Sequence, residues 1–403
     1  MLENGKISHV QFSVLVMMYL IGSSVLLLPS AFAAKAKQDA WLAAIVGVIV
    51  GVLLVLLYNA LGSTFPKMTL AEYCEKILGK WLGKLVSLSF SAYFFLISAL
   101  VLRNIGDFMV THILDATPIQ FIEIFFLAIV LFGLYYGLEA YSRTSEMLFP
   151  WVILFFLILI LLILPQIELV NIQPIYESGM KSIINGALPF IGTPCMELVV
   201  FLMLFPFVHG TKDAKRSFII GYLFGGIILI IISLVTILVI GYRTTTNVIY
   251  PTFLLATRIN IGGFIQRIEA SLAILWFITI FFKLTICFYA SSLSLAQTLR
   301  LKKYQFLFFP FSMIMIVLSL IAYPNSAYFL SVIGSIWTPF ASVYGLILPA
   351  LLLIIGKLRK LGDNPSTSVG EKITRTVLKR SKKGVCMFFY TLLFHEGKRG
   401  SLV

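Results

Sequence analysis

The tripeptide Gly192-Thr193-Pro194 interrupts an apolar run of about 22 residues, 187–208. A run of this length and composition is typical of a helix that crosses a bilayer. Proline inside a helix removes a backbone donor, and the hydrocarbon offers no water to the carbonyl that is left without its partner. Neighbouring protein groups, an ion, water or a ligand must satisfy that carbonyl instead. The interruption therefore predicts a candidate binding site within the membrane.

The composition places the chain in a membrane. Of its 403 residues, 60% are hydrophobic and 12% are charged, and the mean hydropathy is +1.00. Soluble globular proteins carry about 25% charged residues, so a polytopic membrane protein is predicted. The net charge of +14 is explained by the preference of basic residues for cytoplasmic loops and anionic lipid. We therefore expect the lipid bilayer as a partner and no binding of nucleic acid.

Ten apolar runs predict an all-α membrane protein with about ten transmembrane helices. Their approximate limits are residues 11–33, 41–61, 82–102, 121–138, 148–164, 187–208, 218–241, 270–293, 306–323 and 328–355. Between the second and third runs, apolar residues recur at helical spacing among charged ones over residues 69–80. This pattern predicts an amphipathic helix at the membrane surface, capped by Thr69. A short helix is also expected in the connection 242–267.

Lysine and arginine residues set the predicted orientation. With the N-terminus in the cytoplasm, the inside loops carry more basic residues than the outside loops, as the positive-inside rule requires. Ten crossings then place the C-terminus in the cytoplasm as well. Residues 1–360 are assigned to a transmembrane transporter-like domain. Residues 361–403 are assigned to a basic cytoplasmic tail that is disordered or interfacial, since its apolar stretch 385–394 is too short to span a bilayer.

A second interruption, Gly22-Ser23-Ser24, lies in the first apolar run. If ten spans form two halves of five, each interruption falls in the first helix of a half, and the two halves are inverted. Paired interrupted segments at corresponding positions indicate a ligand site at the membrane midplane. Half-helix ends there present N–H groups to a carboxylate and carbonyls to an ammonium group, which suits a zwitterionic amino acid. The alternative is two ordinary kinks.

Side chains near the two breaks complete the candidate site. Lys283 lies near the middle of span eight, where an unpaired ammonium group costs about 3 kcal/mol or more. Two interpretations stay open: it takes the place of a bound sodium ion and exchanges a proton, or it forms a structural ion pair with Glu197 or Glu123. Tyr93 either offers a pocket hydroxyl or belongs to the core. The predicted ligand-binding residues are Gly22, Ser23, Ser24, Tyr93, Gly192, Thr193, Pro194 and Glu197. Lys283 and Thr285 are the candidates for ion or proton coupling.

Two other charged features receive structural interpretations. Arg103 and Asp107 are four residues apart, so they are expected to form a helical surface pair. Glu123 is only a few residues into span four and is expected at the membrane interface.

Sequence patterns of enzymes are missing from this chain. It contains no HExxH, GxSxG or phosphate-binding loop, and no paired carboxylates on one helical face within a span. The four cysteines are far apart in sequence and indicate neither a metal site nor a disulfide framework. We therefore expect a protein that is not an enzyme, with no catalytic residues, no metal and no cofactor.

Three segments carry a family resemblance. They are Lys6-Ile7-Ser8 with Gln11, the sequence GSSVLLLP at 22–29, and PFIGTPCMELVVF at 189–201. Together with ten spans and the amphipathic segment, they make residues 6–360 similar to the B subunits of spore germinant receptors. Those subunits belong to the spore-germination branch of the amino acid–polyamine–organocation transporter superfamily.

The resemblance implies a five-plus-five inverted repeat in which helices one and six are broken. The unwound residues would be Gly22 to Ser24 and Gly192 to Pro194. It further implies a subunit in the inner membrane of a bacterial endospore that works with an A subunit and a lipoprotein C subunit. Such a subunit senses a nutrient, here expected to be an amino acid, and triggers germination through a ligand-induced conformational change. The alternative is a proton-coupled amino acid transporter of the same fold.

Overall fold

The computed structural model describes residues 3, 5–258 and 269–361. Within these ranges the chain is helical, and its β-structure is limited to an isolated parallel bridge between Ile7 and Val208. The bridge joins the segment before the first helix to the end of the sixth span. Ile7 N donates to Phe207 O at 2.9 Å, and His209 N donates to Ile7 O at 3.1 Å.

The first half of the chain contains seven α-helices, which we number in chain order. They are α1 His9–Ile21, α2 Ser24–Ala36, α3 Ala40–Thr64, α4 Leu70–Leu78, α5 Lys80–His112, α6 Ile119–Tyr135 and α7 Gly137–Ile163. The remaining described chain adds α8 Gly179–Phe190, α9 Thr211–Asn247, α10 Pro251–Thr257, α11 Glu269–Thr298, α12 Phe308–Ala322, α13 Ser326–Val332, α14 Thr338–Ser342 and α15 Leu348–Leu358.

Tighter or wider helical turns connect several of these helices. The 3-10 segments include Lys37–Asp39, Leu164–Gln166, Leu169–Ile172, Leu198–Met203, Phe205–Phe207 and Gln305–Leu307. The π-helical segments are Ile191–Cys195, Ile333–Trp337 and Val343–Ile347. The sixth and tenth predicted spans are therefore composite rather than single α-helices.

Eight helical segments of the described chain are long and apolar enough to cross a membrane. One of them, Ser24–Thr64, joins the second half of predicted span one to span two. Two shorter apolar helices complete the match. The first half of span one is α1, which ends at the interruption beside Gly22, and span four is α6. Each of the ten predicted spans thus has a helical counterpart.

Polar caps fix the starts of two helices. Ser8 and Gln11 form a reciprocal capping box at α1, and Thr69 and Glu72 form another at α4. Each box satisfies two backbone donors that a helix start otherwise leaves unpaired. The predicted amphipathic helix after Thr69 is confirmed, and the predicted short helix after span seven is α10. The predicted tail, from residue 362 onward, lies outside the described residues.

Small residues bring the central helices close together. On α5 and α11, Ser91 Oγ donates to Ser291 O at 2.9 Å, and Ser291 Oγ donates to Ser91 O at 3.0 Å. One end of the same interface is closed by Ser87 and Thr298, whose hydroxyls lie 2.6 Å apart. Small polar side chains are a common means of joining helices in lipid. They hold α11 against α5, with α1 on the other side of α11.

Candidate functional site

The break in the first span is a local change of backbone at Gly22. Its φ and ψ are 4° and −115°, and its N–H donates to Met18 O at 2.9 Å, which ends α1. A Cβ at this position would lie 2.8 Å from Cδ of Lys283. The missing side chain therefore lets α11 approach the break, and the predicted interruption of helix one is confirmed.

The break in the sixth span has a different form from the one expected. Gly192, Thr193 and Pro194 are not unwound but lie in the π-helical turn Ile191–Cys195, followed by the 3-10 segment Leu198–Met203. Because proline has no N–H, it cannot close the usual four-residue turn. The chain instead widens, and Met196 N donates to Ile191 O. The interruption was predicted correctly, and the expected unwinding was wrong.

Lys283 and Glu197 form an ion pair at these breaks. Lys283 Nζ lies 2.8 Å from Glu197 Oε2, with side-chain exposures of 1% and 3%. The ammonium group also donates to Ser23 Oγ at 3.0 Å. Tyr19 covers it, with the Nζ atom 5.1 Å from the ring centroid. Of the two carboxylates considered from the sequence, Glu197 is the one that pairs with Lys283.

The ion pair joins three separate parts of the fold. Glu197 follows the π-turn of span six, Ser23 lies between α1 and α2, and Lys283 belongs to α11. Removing one member of such a pair leaves an uncompensated buried charge, which typically costs about 3–5 kcal/mol. The pair therefore favours the arrangement in which both broken spans contact α11.

A small cavity of about 30 Å³ adjoins the ion pair. It is lined by Ser23, Asn104, Thr193, Glu197 and Lys283 together with apolar side chains of α5 and span ten. A buried water needs about 10–15 Å³ of cavity volume measured in this way. The cavity therefore has room for about two or three waters, and an amino acid requires it to widen.

Several buried polar atoms around the cavity have no hydrogen-bond partner in the described part of the chain. Thr193 Oγ1 and Asn104 Oδ1 are two of them. An unpaired buried polar atom typically costs about 1–3 kcal/mol. Their burial beside an ion pair, without partners of their own, is the arrangement expected of groups that receive a ligand or water.

Other predicted site residues are not in the lining of the cavity. Tyr93 stacks on Tyr344, with ring centroids 4.3 Å apart and planes within 7°. Ser24 is buried at the start of α2. Thr285 Oγ1 donates to Phe281 O at 2.7 Å within α11. Gly22, Gly192 and Pro194 contribute to the backbone of the breaks, so Ser23, Thr193, Glu197 and Lys283 are the predicted residues that line the cavity.

The sequence prediction missed Asn104 and Trp337. Asn104 was excluded because span three was ended at Leu102, before a pair of charged residues. An amide side chain one residue beyond Arg103 was the available signal in the sequence. Trp337 lies at the end of a π-turn that no sequence pattern indicated, and it lines the cavity from span ten.

The charged residues of α5 and α6 are more buried than expected. Arg103 Nε and Asp107 Oδ1 lie 2.9 Å apart, as predicted, but their side chains are only 12% and 10% exposed. Their pairing is confirmed, and their assignment to the surface was wrong. Glu123 is fully buried, and Ser319 Oγ donates to its Oε2 at 2.6 Å.

Metal-ligand clusters are not found in residues 5–258 and 269–361. No group of three or more His, Cys, Asp or Glu side chains there is arranged to hold a metal ion. The chemistry that the site offers is therefore that of one anion, one cation and several neutral polar groups.

An all-helical membrane bundle, with the first and sixth spans interrupted beside a buried ion pair, defines a protein with the architecture of a secondary transporter. Within that class, the chain belongs to the family described as Spore germination protein, whose profile matches residues 6–327. The resemblance read from the sequence is thereby confirmed.

Curated relatives agree with this family. The chain is 28% identical to Spore germination protein YndE of Bacillus subtilis (strain 168), with 89% of this chain and 98% of the relative covered. It is 26% identical to Spore germination protein KB of the same organism, over 79% and 86% of the two chains. Spore germination protein GerLB of Bacillus cereus is 27% identical, over 87% and 94%.

A solved structure shares the fold. Mhp1, a nucleobase-cation-symport-1 family transporter in a closed conformation with bromovinylhydantoin bound, aligns with a TM-score of 0.60 and 12% identity. The alignment covers 84% of this chain and 77% of that one. At this identity the likeness bears on the fold, and it confirms the predicted class of all-helical membrane bundle with an inverted repeat. That neighbour is a transporter, not an enzyme.

Proposed function

We propose that this chain is the nutrient-sensing membrane subunit of a spore germinant receptor, and that its ligand is a small zwitterion such as an amino acid. The observation that carries the proposal is the buried Glu197–Lys283 pair beside a cavity with unpartnered polar atoms. The family supports a role in germination, and the fold supports binding of a small molecule between broken helices.

The ion pair provides a reason for preferring a zwitterion. Glu197 and Lys283 currently neutralise each other, so a ligand with a single charge would leave one of them unpaired. A zwitterion brings both charges: its ammonium group replaces Lys283 beside Glu197, and its carboxylate replaces Glu197 beside Lys283 and Ser23. Asn104 Oδ1 and Thr193 Oγ1 are available to accept further hydrogen bonds from the ammonium group.

Binding by this route couples the ligand to the conformation. The cavity must widen before an amino acid can enter, and the wall on one side consists of Phe329, Ile333 and Trp337 from span ten. A ligand that binds the wider arrangement more tightly shifts the population toward it. The A and C subunits of the receptor would read that shift, in the inner membrane of the endospore with both termini of this chain in the cytoplasm.

A proton-coupled amino acid transporter is the second candidate. It is favoured by the fold shared with Mhp1 and by a lysine at the interrupted helices, because lysine can change its protonation state when its partner is removed. In this reading, Lys283 titrates while substrate occupies the cavity. Concentrative uptake by the purified chain distinguishes the two candidates.

The direct test is a germination screen. Spores of a strain that lacks this chain are exposed separately to amino acids, sugars and nucleosides, and their response is compared with that of the parent strain. We expect the loss of response to one or a few amino acids, restored by the intact chain. A strain that responds normally to every nutrient would contradict the sensing role, and loss of a response to sugars alone would contradict a zwitterionic ligand.

A binding measurement on the purified chain locates the site. We expect the amino acid found in the screen to bind the intact protein, and the Thr193→Val variant to bind it more weakly. Binding that is equal in both proteins would place the ligand outside the cavity.

A further inference from the structure

A second fully buried carboxyl group, that of Glu123, lies on α6 outside the lining of the cavity. It packs between α5 and α12. Its Oε1 atom faces Gly106 of α5, where a built Cβ would lie 3.1 Å from it. Its Oε2 atom lies 2.6 Å from Ser319 Oγ of α12. The proposed ligand site therefore gives Glu123 no role.

The contacts around Ser319 require one hydrogen more than an ionised carboxylate leaves available. Ser319 Oγ lies 2.6 Å from Glu123 Oε2 and 2.7 Å from Ile316 O, and both distances are typical of O–H···O hydrogen bonds. A hydroxyl group has one hydrogen to donate, whereas a backbone carbonyl and a carboxylate only accept. If Glu123 is ionised, Ser319 can therefore serve only one of the two oxygens. If Oε2 carries a proton, Glu123 donates to Ser319, and Ser319 donates to Ile316 O.

The charged groups around Glu123 do not compensate a negative charge. Its Oε1 atom is buried without a hydrogen-bond partner in the described part of the chain. Arg103 and Asp107 of α5 act on it electrostatically, with opposite charges. Arg103 is already engaged, since its Nε lies 2.9 Å from Asp107 Oδ1 and its Nη1 donates to Leu320 O at 3.2 Å. A buried carboxylate without a cation of its own is far more costly than a neutral carboxyl group.

The other helices that pack against α6 face it with apolar side chains. α11 meets α6 through the rings of Phe277 and Phe281. The ionisable residues of α11 include Glu269 at its start and Lys283, which forms the ion pair. α12 contains no ionisable residue. The ionisable residues of α7, which begins at the opposite end of α6, are Glu139, Tyr141, Arg143 and Glu146.

We infer that Glu123 is a proton-binding site and that its carboxyl group is protonated in this conformation. The proton lies on Oε2 and completes the chain from Glu123 through Ser319 to Ile316 O. A divalent metal ion would need about six oxygen ligands, and no cluster of metal-binding side chains is found among the described residues. This inference concerns Glu123 alone and does not depend on the nutrient or on the proposed sensing role.

The proton has a consequence for the contact between α5 and span ten. Ser326, at the start of α13, donates to Asp107 Oδ2 at 3.1 Å, so Asp107 holds both Arg103 and span ten. If Glu123 lost its proton, two carboxylates would compete for the single guanidinium group of Arg103. The proton on Glu123 therefore leaves Arg103 with Asp107 and supports the contact with span ten.

The test is infrared spectroscopy of the purified full chain in detergent at neutral pH. A protonated carboxyl group gives a carbonyl band separate from the bands of carboxylates, and exposed acidic residues are ionised at this pH. We expect Glu123→Gln to lose band area equal to one carboxyl group per chain. Glutamine keeps the size of the side chain and can donate to Ser319 as the protonated acid does. The control is Glu139→Gln, which replaces a carboxylate that is 48% exposed and should leave the band unchanged.

A second variant tests the hydrogen bond while keeping the carboxyl group. In Ser319→Ala the band should remain and move to higher frequency, because the hydroxyl that accepts the proton is gone. Ser312→Ala is its matched control on α12, since Ser312 is buried and donates to Phe309 O at 2.7 Å. It should leave the band in place.

Four results would overturn the inference. They are the absence of a protonated carboxyl band in the parent chain, a band that persists in full in Glu123→Gln, a band that is lost in Glu197→Gln instead, and a band that Ser319→Ala and Ser312→Ala affect equally.

Discussion

The Glu197–Lys283 pair joins both broken spans to α11, and its energetics can be tested at the level of single residues. Lys283→Met leaves Glu197 as an uncompensated buried carboxylate, so we expect the free energy of unfolding to fall by about 3 kcal/mol. The double variant Lys283→Met/Glu197→Met should recover most of this loss, because no buried charge remains. Thermal or denaturant unfolding of the purified chain in detergent measures the effect.

The exposed pair Arg300–Glu75 supplies a matched control. Its side chains are 63% and 28% exposed, and exposed pairs contribute about 0–1 kcal/mol. Arg300→Met should therefore cost less than 1 kcal/mol. If the losses of the two single substitutions at the buried pair simply add in the double variant, the side chains do not stabilise each other.

The hydroxyl group of Thr193 is the next feature to test by substitution. Thr193→Val keeps the shape of the side chain and removes a hydroxyl that lines the cavity without a protein partner. If that hydroxyl bonds the ligand, its loss weakens binding by about 1–1.5 kcal/mol, or about tenfold. We expect the nutrient concentration that gives a half-maximal germination response to rise about tenfold, at an unchanged protein level.

Thr236→Val is the control for this experiment. Thr236 is also buried, but its hydroxyl donates to Ile232 O at 2.7 Å within α9 and lies outside the cavity lining. Its dose-response curve should match that of the parent. A Thr193→Val curve that also matches the parent would remove Thr193 from the ligand site.

The π-turn of span six packs tightly against α14 at Gly192. A Cβ at Gly192 would lie 2.4 Å from Thr338 Oγ1 and 2.8 Å from Thr338 Cα. The second of these is a backbone contact, so Gly192→Ala must push α14 away, at a cost of about 1–3 kcal/mol. Unfolding measurements should show this loss, together with a changed dose-response curve.

Gly334 is the matching position in another π-turn. No described atom lies within 4 Å of a Cβ built there. Gly334→Ala should therefore leave stability unchanged or raise it slightly, since alanine loses less backbone entropy on folding. Equal destabilisation by the two substitutions would mean that the contact with Thr338 does not fix the turn.

The two breaks show how far the sequence predicts elements. Their positions were predictable because glycine and proline inside an apolar run disturb a helix wherever the run packs. The π-helical form of the second break was not, because proline removes a helical hydrogen bond without specifying whether the chain unwinds or widens, and the contact with Thr338 comes from span ten. The sequence of one span does not show which residues of a distant span contact it.

The charged residues of α5 show a similar limit. Span three was predicted to end at about Leu102, with Arg103 and Asp107 as a surface pair at its outer end. The pair is confirmed, but the helix continues to His112 with both side chains largely buried. Because the predicted span ends before Asn104, the prediction missed this residue of the cavity lining. For the ion pair of Lys283, the sequence left two possible partners, Glu197 and Glu123, because both lie in predicted spans.

At the scale of the whole molecule, the question is whether a substrate crosses the membrane. We expect the purified chain in proteoliposomes to bind the amino acid without concentrating it, with or without a proton gradient. Uptake of labelled amino acid measures this, and liposomes that contain Lys283→Met protein show the background. Concentrative uptake by the intact chain alone would favour the transporter over the sensor.

The small size of the cavity has a kinetic consequence. With a cavity of about 30 Å³, the site admits a nutrient only while the bundle is transiently widened. At high concentration, the rate of occupancy then stops rising with concentration and equals the rate of opening. A pulse of nutrient that is shorter than the interval between openings fills few sites, whereas sustained exposure fills more of them as more bundles open. The response therefore depends on how long the nutrient is present as well as on its concentration.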